Sequence, residues 1–298
     1  MVQQPSRKPV FPAKIAPYID IGAYLLDARA PAATIFFDEL LIGKELLLLT
    51  RASQADALST RRWQKYLASA GYACLIIDSA SGQGFDAVLD HLARMLKRKA
   101  AVAERRGIQS ATLRVAGLGV PNVGKSTFLN RLIGRHRLKT GNRPGITRGH
   151  QWVRLFEDVE VLDTPGILRN PEALNQRKTY WMLLNLMRYD SALREGAVEL
   201  LLENLPQQAL GELKRRYKVP DEHFRSSNWL ELLESIAAKG SPGVSGAPGD
   251  DAIDRAARRL LADFQHGRFG RITLQQPGTS RITSPFFTPP DAENAQAK

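Results

Sequence analysis

Gly119-Val-Pro-Asn-Val-Gly-Lys-Ser126 decides how the chain is read. The stretch fits GxxxxGK[ST] in full, follows the apolar run Thr112 to Gly117, and runs at once into a helical pattern through Phe128, Leu129, Leu132 and Ile133 that ends at Gly134. A strand passing through a glycine-bearing turn into a helix is the setting in which this pattern is a phosphate cradle rather than a chance match. Gly119 and Gly124 let the backbone curl until successive N–H groups point inward, and the positive end of the helix near Lys125 adds to the field. Asn122, Val123 and Thr127 belong to the same turn. Lys125 is placed to bridge β- and γ-phosphates, and the Ser126 hydroxyl to ligate Mg²⁺.

Two pieces downstream acquire roles from that cradle. Thr147, in Pro144-Gly-Ile-Thr147, is expected to complete the metal's coordination when a γ-phosphate is present. Asp163, in Asp163-Thr-Pro-Gly166 at the end of an apolar run, is expected to hold the metal through water, while Gly166 lets a backbone amide approach the phosphate. Such loops would respond to nucleotide state. His150 follows Thr147 closely, but a loop histidine near Arg148 reads as solvated or near a polyanion.

Outward from the cradle the texture is asymmetric. Upstream, the apolar runs Ile21 to Leu26, Glu45 to Leu49 and Tyr72 to Ile77 alternate with amphipathic stretches at Thr60 to Ala70 and Gly84 to Lys99, the α/β signature. Downstream, Gln151 to Phe156 and Val159 to Leu162 read as a hairpin. Beyond Gly166 the stretches Tyr180 to Met187, Ala197 to Leu205, Ala209 to Tyr217, Trp229 to Ala238 and Ala252 to Phe264 are all helical in period. The strands that a nucleotide domain needs beyond its Asp163 piece must therefore come from before the cradle. The run ending at Ile77 leads into Asp78-Ser-Ala-Ser-Gly-Gln-Gly84, in which Ser79, Ala80 and Ser81 resemble a loop that backs a guanine base. The motif order is rotated.

Composition excludes several classes. The 298 residues carry 42 Lys and Arg against 30 Asp and Glu, a net +12, with 43% hydrophobic and 24% charged residues. That is a globular chain, neither disordered nor fibrous. No apolar run reaches membrane-span length and Met1 to Pro9 lacks a signal-peptide core, so a cytoplasmic protein without a membrane partner is expected. The single cysteine, Cys74, leaves no disulfide partner within the chain and reads as a small buried strand residue. Five scattered histidines show no metal-ligand spacing.

Taken together, Asp27-Ala-Arg-Ala-Pro31, Pro121-Asn-Val-Gly-Lys-Ser-Thr127, Pro144-Gly-Ile-Thr-Arg148, Asp163-Thr-Pro-Gly-Ile-Leu168 and Phe269-Gly-Arg-Ile-Thr-Leu274 resemble, in this order, the bacterial ribosome biogenesis GTPase A group. The resemblance covers residues 9 to 277. It implies a P-loop GTPase domain with circularly permuted motif order (9–169) and then a smaller all-helical, RNA-contacting C-terminal domain (170–277), while the alternation upstream gives the α/β class and the proline-bearing, apolar-poor end reads as a flexible tail (278–298). It also implies GTP and GDP as ligands with Mg²⁺, and ribosomal RNA of the immature large ribosomal subunit as partner. In that group the strand matching Glu45 to Leu49 ends in Asn-Lys-x-Asp, whose carboxylate reads guanine; here the residues are Thr50-Arg51-Ala52-Ser53. A neutral Ser53 is expected to weaken affinity and loosen discrimination against adenine, and Asp56 is a nearby alternative carboxylate. Ser81 replaces the backing loop's usual Lys.

The group's early Gly-His-Met is Phe11-Pro-Ala-Lys14 here, and Ile167 follows Gly166, so hydrolysis rests on Lys125, Thr147, Gly166, magnesium and a partner. Slow or partner-stimulated GTP hydrolysis is the expectation, with a non-hydrolysing nucleotide- and RNA-binding module as the alternative. From Arg105 to Phe156 no acidic residue occurs, while Arg105, Arg106, Arg114, Arg131, Arg135, Arg137, Lys139, Arg143, Arg148 and Arg154 are basic. This suits a polyanion recognised by phosphate and shape. Lys214-Arg-Arg216 and Arg255 to Arg259 add cations that could equally be helix surface. Trp181, Trp229, Met182 and Met187 read as helical core.

Overall fold

A computed structural model describes residues 11–36, 39–140, 152–156, 158–163, 175–219, 228–240 and 249–278. A six-stranded sheet runs β3-β2-β1-β4-β6-β5, built from β1 (Ile21–Asp27), β2 (Glu45–Thr50), β3 (Ala73–Ile76), β4 (Leu113–Leu118), β5 (Trp152–Phe156) and β6 (Val159–Asp163). The first four strands and β6 are mutually parallel; β5 and β6 form the expected antiparallel pair at the edge. Both faces of the sheet are covered, and β1 and β2 accordingly read as continuous apolar runs. Their period of two sorts them: Ile21, Ala23, Leu25, Leu46 and Leu48 face one core, Tyr24, Leu26, Leu47 and Leu49 the other.

After β1 comes the single turn α1 (Pro31–Thr34). α2 (Ala57–Ser69) lays Trp63 and Leu67 on the second face; α3 (Phe85–Arg105) and α4 (Lys125–Thr140) lay Phe85, Val88, Leu92, Phe128 and Leu132 on the first. α3 runs past Lys99, where the amphipathic pattern is expected to end, because nothing in Ala100 to Arg106 stops a helix before Gly107. α4 likewise runs on through Gly134, whose helical cost of about 1 kcal/mol the flanking helix formers offset.

The remaining helices are α5 (Asn175–Leu183), α6 (Arg194–Glu203), α7 (Gln207–Tyr217), α8 (Trp229–Gly240) and α9 (Asp250–Gln265). Their apolar faces join the core of the first sheet face, including buried Trp181 and Met182, with Trp229 and Met187 packed at its margin. The periodicity through Met187 overruns α5, which stops at Leu183. Asn185 takes a left-handed conformation (φ 58°), and the amides of Leu186 and Asn185 donate back to the carbonyls of Trp181 and Met182, a Schellman ending. The linker at 241–248 and the tail at 279–298 lie outside the described residues.

The candidate nucleotide site

Because β2, β3 and β4 are parallel to β1, their C-terminal ends open along one edge, where ligands of doubly wound sheets sit. Each end carries one of the expected loops.

At the end of β4, Gly119 lies so close to its neighbours that a Cβ there would stand 2.7 Å from Val123 Cγ1 and 3.2 Å from the Leu25 carbonyl oxygen. Asn122 (φ 60°) and Gly124 (φ 109°) are both in positive-φ backbone, which curls the loop, and α4 starts at Lys125. Val123 anchors the turn in the core. Lys125 is 7% exposed, and its Nζ donates to the carbonyls of Gly119 and Val120, both at 3.0 Å. The ammonium group thus folds back over the loop. Ser126 and Thr127 are exposed on the first turn of α4. An anion of phosphate geometry fits this donor set: a curled backbone, a helix N-terminus and an ammonium.

At the end of β2, Thr50 Oγ1 donates to the Leu26 carbonyl at 3.0 Å. Arg51 (φ 56°) reaches three ways: Nη2 to the Asn122 carbonyl at 3.1 Å, Nη1 to the Leu184 carbonyl at 3.2 Å, and Nη1 to within 3.5 Å of Asp27. It ties the expected base loop to the phosphate loop. Two residues on, Ser53 donates to Asp78 Oδ2 from its amide at 3.0 Å and its hydroxyl at 2.5 Å. Ser81, from the end of β3, donates to Asp78 Oδ1 from its amide at 2.8 Å and its hydroxyl at 3.1 Å. Asp78 is 1% exposed; burial alone raises its pKa, yet the bonds from Ser53 and Ser81 leave it below the ordinary carboxylate range. Ser79 and Ala80 fill the turn closed by the Gly82 amide donating to the Asp78 carbonyl. The sequence reading missed Asp78 as the clamp between these loops; the signal was an acid at a strand end beside small hydroxyl residues.

Asp56, the alternative carboxylate, is engaged elsewhere. Its carboxylate accepts from the Ser59 amide at 2.7 Å and caps α2. Cys74 is buried in β3, where burial pushes its thiol up to about 12. Asp163 ends β6 in register with Gly117, with its side chain outside the described set. Thr147, His150 and Gly166 lie outside the described residues, as do Arg143, Arg148 and the side chains of Arg135, Arg137 and Lys139. Of the other cations, Arg105, Arg106 and Arg154 are exposed, Arg114 pairs with Glu160 between the rings of Tyr18 and Trp152, and Arg131 lies beside Gly82. In the helical region, Arg216 pairs with buried Asp263, and Arg258 and Arg259 lie over the rings of Tyr189 and Tyr217.

A buried network connects the site to the helical region. Arg29 is 1% exposed and donates to Asp27 from Nε at 2.9 Å and from Nη2 at 2.7 Å. Burial raises the Asp27 pKa, but the Arg29 and Arg51 guanidinium groups outweigh it and hold the carboxyl below its usual range. Arg29 and Arg51 both point at the Leu184 carbonyl, and Asn122 Nδ2 donates to that of Leu186 at 3.3 Å. Two arginines and a phosphate-loop side chain therefore satisfy carbonyls at the negative end of α5. A second link is the strap at 272–276. Its Ile272 and Leu274 amides donate to the carbonyls of Gln54 and Arg29, while Thr273 Oγ1 accepts from the Asp56 amide and the Gln275 carbonyl accepts from Trp63 Nε1 at 2.8 Å.

The model of the 50S ribosome-binding GTPase family matches residues 114–214. The chain is 33% identical over 267 residues to Ribosome biogenesis GTPase A of Bacillus pumilus, covering 87% of this chain and 91% of that one. To the protein of that name from Thermotoga maritima it is 30% identical over 261 residues, covering 84% of each. The fold of GNP-bound YlqF from T. maritima superposes with a TM-score of 0.59 at 23% identity, over 89% of this chain and 96% of that one. The permuted loop order and this relatedness over most of the chain make it a member of the ribosome biogenesis GTPase A family.

Proposed function

We propose that the chain is a GTP-binding ribosome assembly factor that hydrolyses GTP, slowly alone and faster on an immature large ribosomal subunit. The observation that carries this reading is Lys125, held over a curled loop between a buried strand and a helix N-terminus in a member of this family. In the bound state Lys125 exchanges the Gly119 and Val120 carbonyls for phosphate oxygens. Ser126, Thr147 and Asp163 would hold Mg²⁺, which neutralises charge on the transferring phosphate when bound. Gly166 would present an amide to the γ-phosphate, and Thr50, Arg51, Ser53, Ser79, Ala80 and Ser81 would surround the base. The acid-free run around α4 suits the phosphates of ribosomal RNA. Among the described residues no helix is long and apolar enough to cross a membrane.

The test is phosphate release from GTP with and without large-subunit precursor particles, for wild type and Lys125→Ala. Stimulation in wild type and its loss in the variant are expected. The second reading, a non-hydrolysing module, is favoured by the missing early histidine; it predicts retained GTP and particle binding with no turnover under any condition.

A further inference from the structure

The guanine-reading loop has lost its carboxylate at Ser53, yet a carboxylate lies directly behind that residue. We propose that Ser53 and Asp78 act as a two-residue guanine reader, in which Asp78 accepts the Ser53 hydroxyl's hydrogen bond and so leaves Ser53 Oγ to serve as an acceptor toward the base.

The direction of the hydrogen bond is fixed by chemistry. An ionised carboxylate only accepts, so at 2.5 Å from Asp78 Oδ2 the proton between them belongs to Ser53. The Ser53 amide donates to the same oxygen and holds the residue in place. Asp78 itself is not available to a ligand: it is 1% exposed, and the amide and hydroxyl of Ser53 and of Ser81 fill its acceptor sites. With its proton directed at Asp78, the Ser53 oxygen keeps its lone pairs on the other side, and the residue is exposed. Guanine offers N1–H and the 2-amino group along the edge that such a loop reads, and both donate. Adenine offers the N1 lone pair there, which meets lone pairs on Ser53. Discrimination thus keeps the sign it would have with a direct carboxylate, although the contact is neutral and single. Asp78 is a positioning residue in this scheme, since it acts through Ser53.

The inference rests on the nucleotide-binding reading, and equilibrium binding separates the two. Labelled GDP, IDP, XDP and ADP would be titrated into wild type, Asp78→Asn and Ser53→Ala, with thermal melting as the folding control. For wild type, GDP should bind roughly tenfold or more tightly than ADP, about the worth of one to two hydrogen bonds. XDP, which replaces the 2-amino donor by a carbonyl acceptor, should also bind more weakly than GDP. In Asp78→Asn the amide can donate to Ser53 Oγ and turn its hydroxyl outward, so the XDP penalty should shrink and the GDP/ADP ratio fall toward one at unchanged ADP affinity. Ser53→Ala should lose the ratio as well. A purely structural Asp78 would weaken all four nucleotides alike, which overturns the proposal. So does a ratio that survives Ser53→Ala, or equal GDP and ADP binding in wild type; either leaves the phosphate cradle standing. Failure of wild type to bind any of them rejects the cradle too. If Asp78→Asn does not fold, the XDP/GDP comparison in wild type and Ser53→Ala decides.

Discussion

Individual residues carry the sharpest consequences. Asp27, Arg29 and Arg51 share a buried site in which one carboxylate balances two guanidinium groups. Asp27→Asn leaves those cations without their counter-charge and should cost about 3–5 kcal/mol, read as a lower urea midpoint. The depressed Asp27 pKa gives the pH dependence its sign. Above the ordinary carboxylate pKa of about 3.9 the native state holds the full contribution, and it is lost as pH falls through the lower folded value. Urea midpoints below pH 4 should therefore fall less steeply for the variant than for wild type. At the cradle, Lys125→Ala should lower the GTPase rate roughly 10²-fold or more while leaving the melting temperature near that of wild type. The turn that folds Lys125 back over its own loop was legible in the sequence because eight contiguous residues specify it. Asp78 was not, because its contacts depend on two loop residues 25 positions apart, Ser53 and Asp78, meeting only in the fold.

Elements show where pattern reading stops. The strands were found close to their ends because a parallel sheet covered on both faces demands unbroken apolar runs. Helix ends were harder: Gly134 reads as a stop and is crossed, whereas Asn185 ends α5 inside an apolar pattern. Backbone conformation decides these ends, and hydrophobic period does not report it. Gly84 is another such point, at φ 79° with the Ile76 carbonyl oxygen 2.0 Å from where a Cβ would stand. Gly84→Ala must displace backbone between β3 and α3, and should cost more than the roughly 1 kcal/mol of an ordinary left-handed alanine. Chemical denaturation measures this directly. At the other loop, Asp56→Ala removes the cap of α2 and should cost about 1 kcal/mol without changing nucleotide selectivity. A selectivity change there would return Asp56 to the base site.

At the scale of the whole molecule, the loops after β4 and β2 are held from outside the sheet, by carbonyls at the end of α5 and by the strap after α9. The strap buries Ile272 and Leu274, worth about 3–6 kcal/mol together, beside its hydrogen bonds to the β2–α2 loop. Removing residues 271–298 should lower both the melting temperature and the affinity for GDP, measured by calorimetry and titration. Long-range placement of this kind left its mark in the sequence only as the Gly-Arg-Ile-Thr-Leu piece, whose spacing gives no hint of what it touches. The clasp also constrains biosynthesis. Thr273 is translated 217 residues after Asp56, so the loop it steadies leaves the exit tunnel long before its partner exists. Nascent chains stalled ahead of the strap should be cleaved by protease around residues 50–56, and released full-length chains should resist. A loop at the open edge of the sheet thus waits for the last-made part of the chain before it is held.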